Sequence, residues 1–377
     1  MAWRITDFHA EFAMTRRRWT LWTAAILLAG GLALLDAFVR RHDAGAATRD
    51  AVLSAMMPPE ANVVVFADLA ELRRAPFPAD LRNWIPKNQT DAEYADFLRE
   101  TGFDYERDLD LAAVAVIKGE KDNKLFAVAQ GRFDRKKIEA YAARSGTREN
   151  RGGRETFSVP LGDGARKISF AFLSKDKIAL TDAGDLAPFL GPEPNSADAR
   201  DWHERFTRLA GSPVFAVMRQ DAEAGSALAS RAPGGFQSPQ LSTLLNQLQW
   251  ITLAGKPLDG GIRIVAEGEC ANEQTSRQLS DLLSGMLLMA EAGLNGPQNR
   301  RGLDPRIRDA YLEMIKGADI SRVDRGGTKS VRAVFDVTSN FLNAVSTAPP
   351  PVPASIAPTT PASKKPARAG SQKAMRN

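Results

Sequence analysis

LAAVAVIK at 111–118, GEKDN at 119–123 and KLFAVAQGR at 124–132 decide how this chain is read. Two apolar runs rich in Val, Ala and Leu, joined by five polar turn formers, predict an antiparallel hairpin. Working outward, NVVVFA at 62–67 follows the Pro58-Pro59 break and predicts a further strand. Between them, Thr90 or Asp91 caps a helix over 91–101, with Tyr94, Phe97 and Leu98 on one face and Gly102 as its stop. After the hairpin, Asp134 caps a helix through Ala143, with Gly146 beyond its end. Strands follow at 156–160, 167–173 and 177–181, with Asp163-Gly164 and Lys175-Asp176 where turns belong.

A second stretch repeats that order. A strand is predicted at 213–219. A helix at 239–247 has Ser238 as cap and Pro239 in its first turn, with Leu241, Leu244, Leu245 and Leu248 at helical spacing. Strands at 249–254 and 261–267 flank the turn Pro257-Leu258-Asp259-Gly260. The helix at 275–292 carries an apolar stripe of Leu279, Leu282, Leu283, Met286, Leu287 and Ala290. A shorter helix at 305–316 starts after Asp304 and stops at Gly317, and strands at 321–325 and 330–337 end the pattern. The expected fold class is therefore α+β: two similar layered units, 58–190 and 191–347, with mainly antiparallel sheets. The boundary falls near 185–212, where Pro188, Pro192 and Pro194 interrupt the pattern.

Ahead of these units, Trp19 to Val39 is an apolar run of bilayer-spanning length between Arg16-Arg17-Arg18 and Arg40-Arg41. It predicts a transmembrane helix at 19–39, with 1–18 in the cytoplasm and 40–57 as a linker. Asp36 marks one boundary, and Trp19 and Trp22 suit the interface at the other. The arginine triplet favours the N-terminus inside, which places the body outside the cytoplasm. Ala44-Gly45-Ala46 resembles a signal-peptide cleavage site, but two arginines before it argue for retention. The tail, 348–377, has seven prolines and five basic residues with no acid, a composition expected to stay disordered.

The formal net charge of +5 belongs to the termini. Residues 1–50 carry seven basic and five acidic groups, which with the tail leaves 38 basic and 40 acidic residues in the body. No nucleic-acid footprint results. Cys270 is the only cysteine and His203 the only histidine of the body, so neither an intrachain disulfide nor a zinc site of ordinary ligands is expected. A Cys270–His203 nucleophile pair is conceivable, but Cys270 reads as a small buried residue at a strand end. Asp104, Glu106, Asp108 and Asp110 alternate like the start of a calcium loop, yet Leu109 and Ala115 stand where its glycine and final acid belong. The glycine pairs 152–153, 234–235, 260–261 and 326–327 lack the strand-to-helix setting of a phosphate loop and read as turns. Glu267 and Glu269 share one side of a strand and could form an acid/base pair; solvated carboxylates are the plainer reading. The Leu/Met stripe at 275–292 packs a core or lines an apolar groove. No catalytic, cofactor or metal residues are assigned.

Thr101-Gly102-Phe103-Asp104, Asp108-Leu109-Asp110 and Gly131-Arg132-Phe133-Asp134 together resemble an uncharacterised family of signal-anchored bacterial envelope proteins, mainly over 55–185. The resemblance implies a periplasmic body on an inner-membrane anchor and brings no catalytic residue, substrate or cofactor. The expectation is a noncatalytic, single-pass binding or scaffold protein, accessory to an envelope complex. Its partners are the bilayer through 19–39 and an unidentified envelope protein. The alternatives are an extracytoplasmic hydrolase using carboxylates and a carrier of lipid or another apolar ligand.

Overall fold

The computed structural model describes residues 56–74, 92–119, 122–151, 154–161, 166–189, 197–220, 243–258, 261–297 and 304–346. The apolar run at 19–39, the caps Thr90 and Asp91, the start of the helix expected at 239–247 and the tail lie outside them. No helix among the described residues is long and apolar enough to cross a membrane.

The hairpin at 111–132 is the core of the fold. β2 (Leu109–Ile117) and β3 (Lys124–Gly131) pair antiparallel, with Val114 opposite Ala127. β1 (Val63–Asp68) joins on the other side of β2, with Val65 opposite Val114. These strands are apolar without alternation because both their faces are covered. On one face lie Val64, Phe66, Ala113, Ala115, Phe126 and Val128, all with no exposed surface. Trp202 and Phe206 of a covering helix, α5 below, belong to that same cluster.

Short helices α1 (Leu69–Arg74), α2 (Ala92–Thr101) and α3 (Tyr105–Asp108) lie between β1 and β2. After β3 come α4 (Arg135–Ser145), capped by the Asp134 side chain, and then β4 (Thr147–Arg151), β5 (Arg154–Leu161), β6 (Arg166–Phe172) and β7 (Lys177–Thr181). Ile138 and Ala142 of α4 pack with Ala129, Phe157, Phe170 and Ile178. Next are α5 (Ala197–Leu209), β8 (Val214–Arg219), β9 (Leu248–Leu258) and β10 (Gly261–Cys270). The chain closes with α6 (Glu273–Asn295), α7 (Pro305–Lys316), β11 (Asp319–Arg325), β12 (Thr328–Thr338) and α8 (Ser339–Ser346).

Twelve strands among the described residues form a single sheet in the order β11-β12-β10-β9-β8-β1-β2-β3-β7-β6-β5-β4. Every neighbouring pair is antiparallel. The expected α+β class with antiparallel strands is found, and both stretches share one sheet, continuous because β1 pairs with β8, Val64 opposite Val217 and Phe66 opposite Phe215. The Phe66 and Phe215 rings stack at 4.9 Å, both almost fully buried. Left apart, each strand would expose an apolar edge with unpaired N–H and C=O groups. The stretch expected to interrupt the pattern, 185–212, holds a 3₁₀ turn (Ala187–Phe189) and α5.

Candidate functional site

Glu267 and Glu269 of β10 stand on the sheet face that α5 crosses, where they anchor a charge cluster. Glu269 is opposite Trp250 of β9 and Ser330 of β12, and Glu267 is opposite Thr252 and Arg332. Both carboxylates are buried, Glu269 at 2% exposure. Arg205 and Arg208, one turn apart on α5, each donate to Glu269, Arg208 Nη2 at 2.5 Å from Oε1. Arg205 donates Nη1 to the Asp201 carbonyl at 2.7 Å and lies over the Trp250 indole, 4.0 Å from its centre.

Glu267 takes a fork from Arg325 of β11, Nη2 to Oε2 at 2.8 Å. Arg332 adds Nε and Nη2 to the same Oε2 at 3.2 Å, and Arg208 Nη1 comes within 3.8 Å of Oε1. Burial pushes the Glu267 carboxyl up, but hydrogen bonds and charge from Arg325 and Arg332 outweigh it and hold it below the usual range. A general acid requires the opposite displacement. The two glutamates expected to share a strand face do so, and each is engaged by guanidinium groups. No local pattern in the sequence points to the arginines, which reach the glutamates from 58 to 65 residues away. The signal for α5 was present in the spacing of Trp202, Phe206 and Leu209.

The structure separates the other sequence candidates. Cys270 is buried among Leu248, Leu279 and Val331, away from the α5 face that carries the exposed His203. Burial pushes its thiol up to about 11, the reverse of an activated nucleophile. Of the carboxylates at 104–110, Asp104 caps α3 by accepting from the Glu106 N–H, Asp108 accepts from Arg107, and Asp110 pairs with Arg73. No group of three or more potential metal ligands occurs among the described residues. Gly326 and Gly327, with φ of +58° and +116°, form the tight turn between β11 and β12. The pairs 152–153 and 234–235, and Gly260, lie outside the described residues.

The motif residues at 101–104, 108–110 and 131–134 assemble into one folding knot. Phe103 and Phe133 stack at 5.1 Å, and the Arg132 N–H donates to the Asp108 carbonyl at 2.8 Å. A Cβ at Gly131 would sit 2.4 Å from that carbonyl oxygen, so the close approach requires glycine.

On α6, Leu279 is buried and Leu282, Leu283 and Met286 pack against the same cluster as Cys270. The stripe therefore serves the core over this part. Farther along the helix, Leu288 and Met289 are 68% and 67% exposed.

No family model matches this sequence, and neither does any curated protein. Among solved structures, crystal form III of TP0453 aligns at 8% identity and a TM-score of 0.40, covering 78% of this chain and 98% of that one. Crystal form I gives 9% and 0.38 over 78% and 96%, and form IV gives 10% and 0.39 over 81% and 100%.

Proposed function

We propose that this chain is a noncatalytic, single-pass protein of the bacterial inner membrane whose extracytoplasmic body acts by binding, as a scaffold or an accessory to an envelope complex. The observation that carries the reading is the engagement of Glu267 and Glu269 by Arg205, Arg208, Arg325 and Arg332. The carboxylates that a hydrolase would need are tied to a helix and two strands. The anchor rests on the arginine-flanked run at 19–39 and the partner on elimination of chemistry. No nucleic-acid partner is proposed, because the body carries 40 acidic against 38 basic residues and lacks the overall basic excess of a nucleic-acid-binding domain.

The body is further proposed to consist of two similar α+β units. What supports this is the strand order, in which both halves run outward from the β1–β8 pair. The first goes β1-β2-β3, adds α4, and returns a strand, β7, beside β3; the second goes β8-β9-β10, adds α6 and α7, and returns β12 beside β10.

A second reading, a carrier for lipid or another apolar ligand, draws on the exposure of Leu288 and Met289. It predicts lipid co-purifying with the full chain in native mass spectra. The test of the main reading is crosslinking of tagged full-length protein in intact cells, followed by mass spectrometry. Reproducible, stoichiometric capture of one envelope protein is expected. Turnover by the purified chain that is abolished by Glu269→Gln, with the fold retained, overturns the reading in favour of a hydrolase.

A further inference from the structure

We propose that Arg208, Arg325 and Arg332 form a binding site for a phosphate-type oxyanion. The proposal rests on the binding reading above and names the chemistry that one face of the body would take. It begins from a charge imbalance. Four guanidinium groups meet two carboxylates between α5, β10, β11 and β12, and the exposed Glu204 on α5, which also faces Arg325, offsets one of the two surplus positive charges.

The cluster has an inner and an outer part. Arg205 and Glu269 are at most 9% exposed and close on each other. Arg208, Arg325 and Arg332 are 21%, 32% and 37% exposed and converge on the single carboxylate of Glu267. Each guanidinium has five N–H groups, and Glu267 and Glu269 accept from only some of them. The glutamates take one N–H of Arg208 and two each of Arg325 and Arg332.

Unmet donors occur beneath them. The Ser330 hydroxyl, in a residue with no exposed surface, and Arg205 Nε are buried without a hydrogen-bond partner. Ser330, Glu269, Trp250 and Arg219 form one cross-strand row over β12, β10, β9 and β8, so the unmet groups lie along the row on which the cluster is built. Arg219 Nη2, at the end of that row, is within 3.3 Å of Asp198 but without hydrogen-bond geometry. Three guanidinium groups converging from a helix and two strands, each with N–H groups beyond those the glutamates take, suit a ligand with several acceptor oxygens, which phosphate provides.

Two sources supply that chemistry, free phosphate and a phospholipid headgroup, and a body held at a membrane meets both. The experiment uses the full chain in a neutral detergent, with thermal shift and titration calorimetry read at constant ionic strength. Inorganic phosphate is one probe; phosphatidylglycerol in mixed micelles, against phosphatidylcholine, is the other. The expected result is a rise in melting temperature with phosphate or phosphatidylglycerol that chloride and phosphatidylcholine do not give. An Arg332→Gln variant that keeps a wild-type circular dichroism spectrum is expected to bind about tenfold more weakly. A response to phosphate alone assigns a soluble anion, and one to phosphatidylglycerol alone assigns a headgroup. No response of the wild-type chain to either, or equal responses of wild type and Arg332→Gln, overturns the site.

Discussion

Asp108 is where the motif knot is most exposed to solution conditions. The hydrogen bond from Arg107 holds its carboxyl down against the opposing push of burial, and the Asp104 N–H and the charges of Arg107 and Arg132 add to the effect, leaving it at about 2. The unfolded chain takes up this proton first as pH falls, so the contribution is complete above about pH 4 and is lost as pH drops through about 2. Asp108→Asn is expected to lower the denaturation midpoint at pH 6 and to flatten its fall between pH 4 and 2. An acid limb as steep as in wild type would remove Asp108 from the account. At this scale the legible residues were those whose partners are close in sequence. Asp134 and Asp304 could be read as caps because the N–H groups they accept from lie three and two residues on. Glu267 and Glu269 could be placed on one strand face for the same reason. Their arginines could not, since those arrive from 58 to 65 residues away.

Among the elements, apolar periodicity located most of the core strands and the long helix α6, and it missed β4, which has no apolar stripe, and α5, which has one. β4, with the sequence TRENR, has no apolar residue, and its Thr147 to Asn150 are exposed. It exists because β5 offers it a ladder, Arg148 opposite Phe157. α5 was hidden among the prolines and charges of 185–212, although Trp202, Phe206 and Leu209 mark its buried stripe. β4 and β11 also close the two ends of the sheet, and both are dense in charge. Charged edges discourage strand addition by a second molecule. Replacing Arg148 and Glu149 together with Val is expected to produce concentration-dependent oligomers in light scattering after size-exclusion chromatography. A mass independent of concentration and equal to that of wild type would show that the charges do not guard this edge.

Over the whole molecule, the question is whether the two halves behave as one. A continuous sheet with stacked, buried Phe66 and Phe215 at its centre predicts a single unfolding transition of the body. Phe215→Ala is expected to cost about 3–5 kcal/mol while leaving one transition. Two separate transitions in wild type, by calorimetry of the full chain, would mean that the β1–β8 pair does not couple the halves. The repeated order of expected elements suggested two units; their sharing of one sheet was not legible, because neither β1 nor β8 states in its own residues which edge it will meet.

The central claim is that the buried carboxylates of β10 hold α5 and the arginines in place rather than react. A double-mutant cycle between Arg205→Met and Glu269→Gln, read by chemical denaturation of the full chain, tests it most directly. Contacting charged groups couple by about 0.5–3 kcal/mol in such cycles, and breaking a buried pair costs about 3–5 kcal/mol. The account predicts that each single variant is destabilised by about 3 kcal/mol and that the pair couples by at least about 1.5 kcal/mol. Additive effects, or a Glu269→Gln chain as stable as wild type, would contradict it.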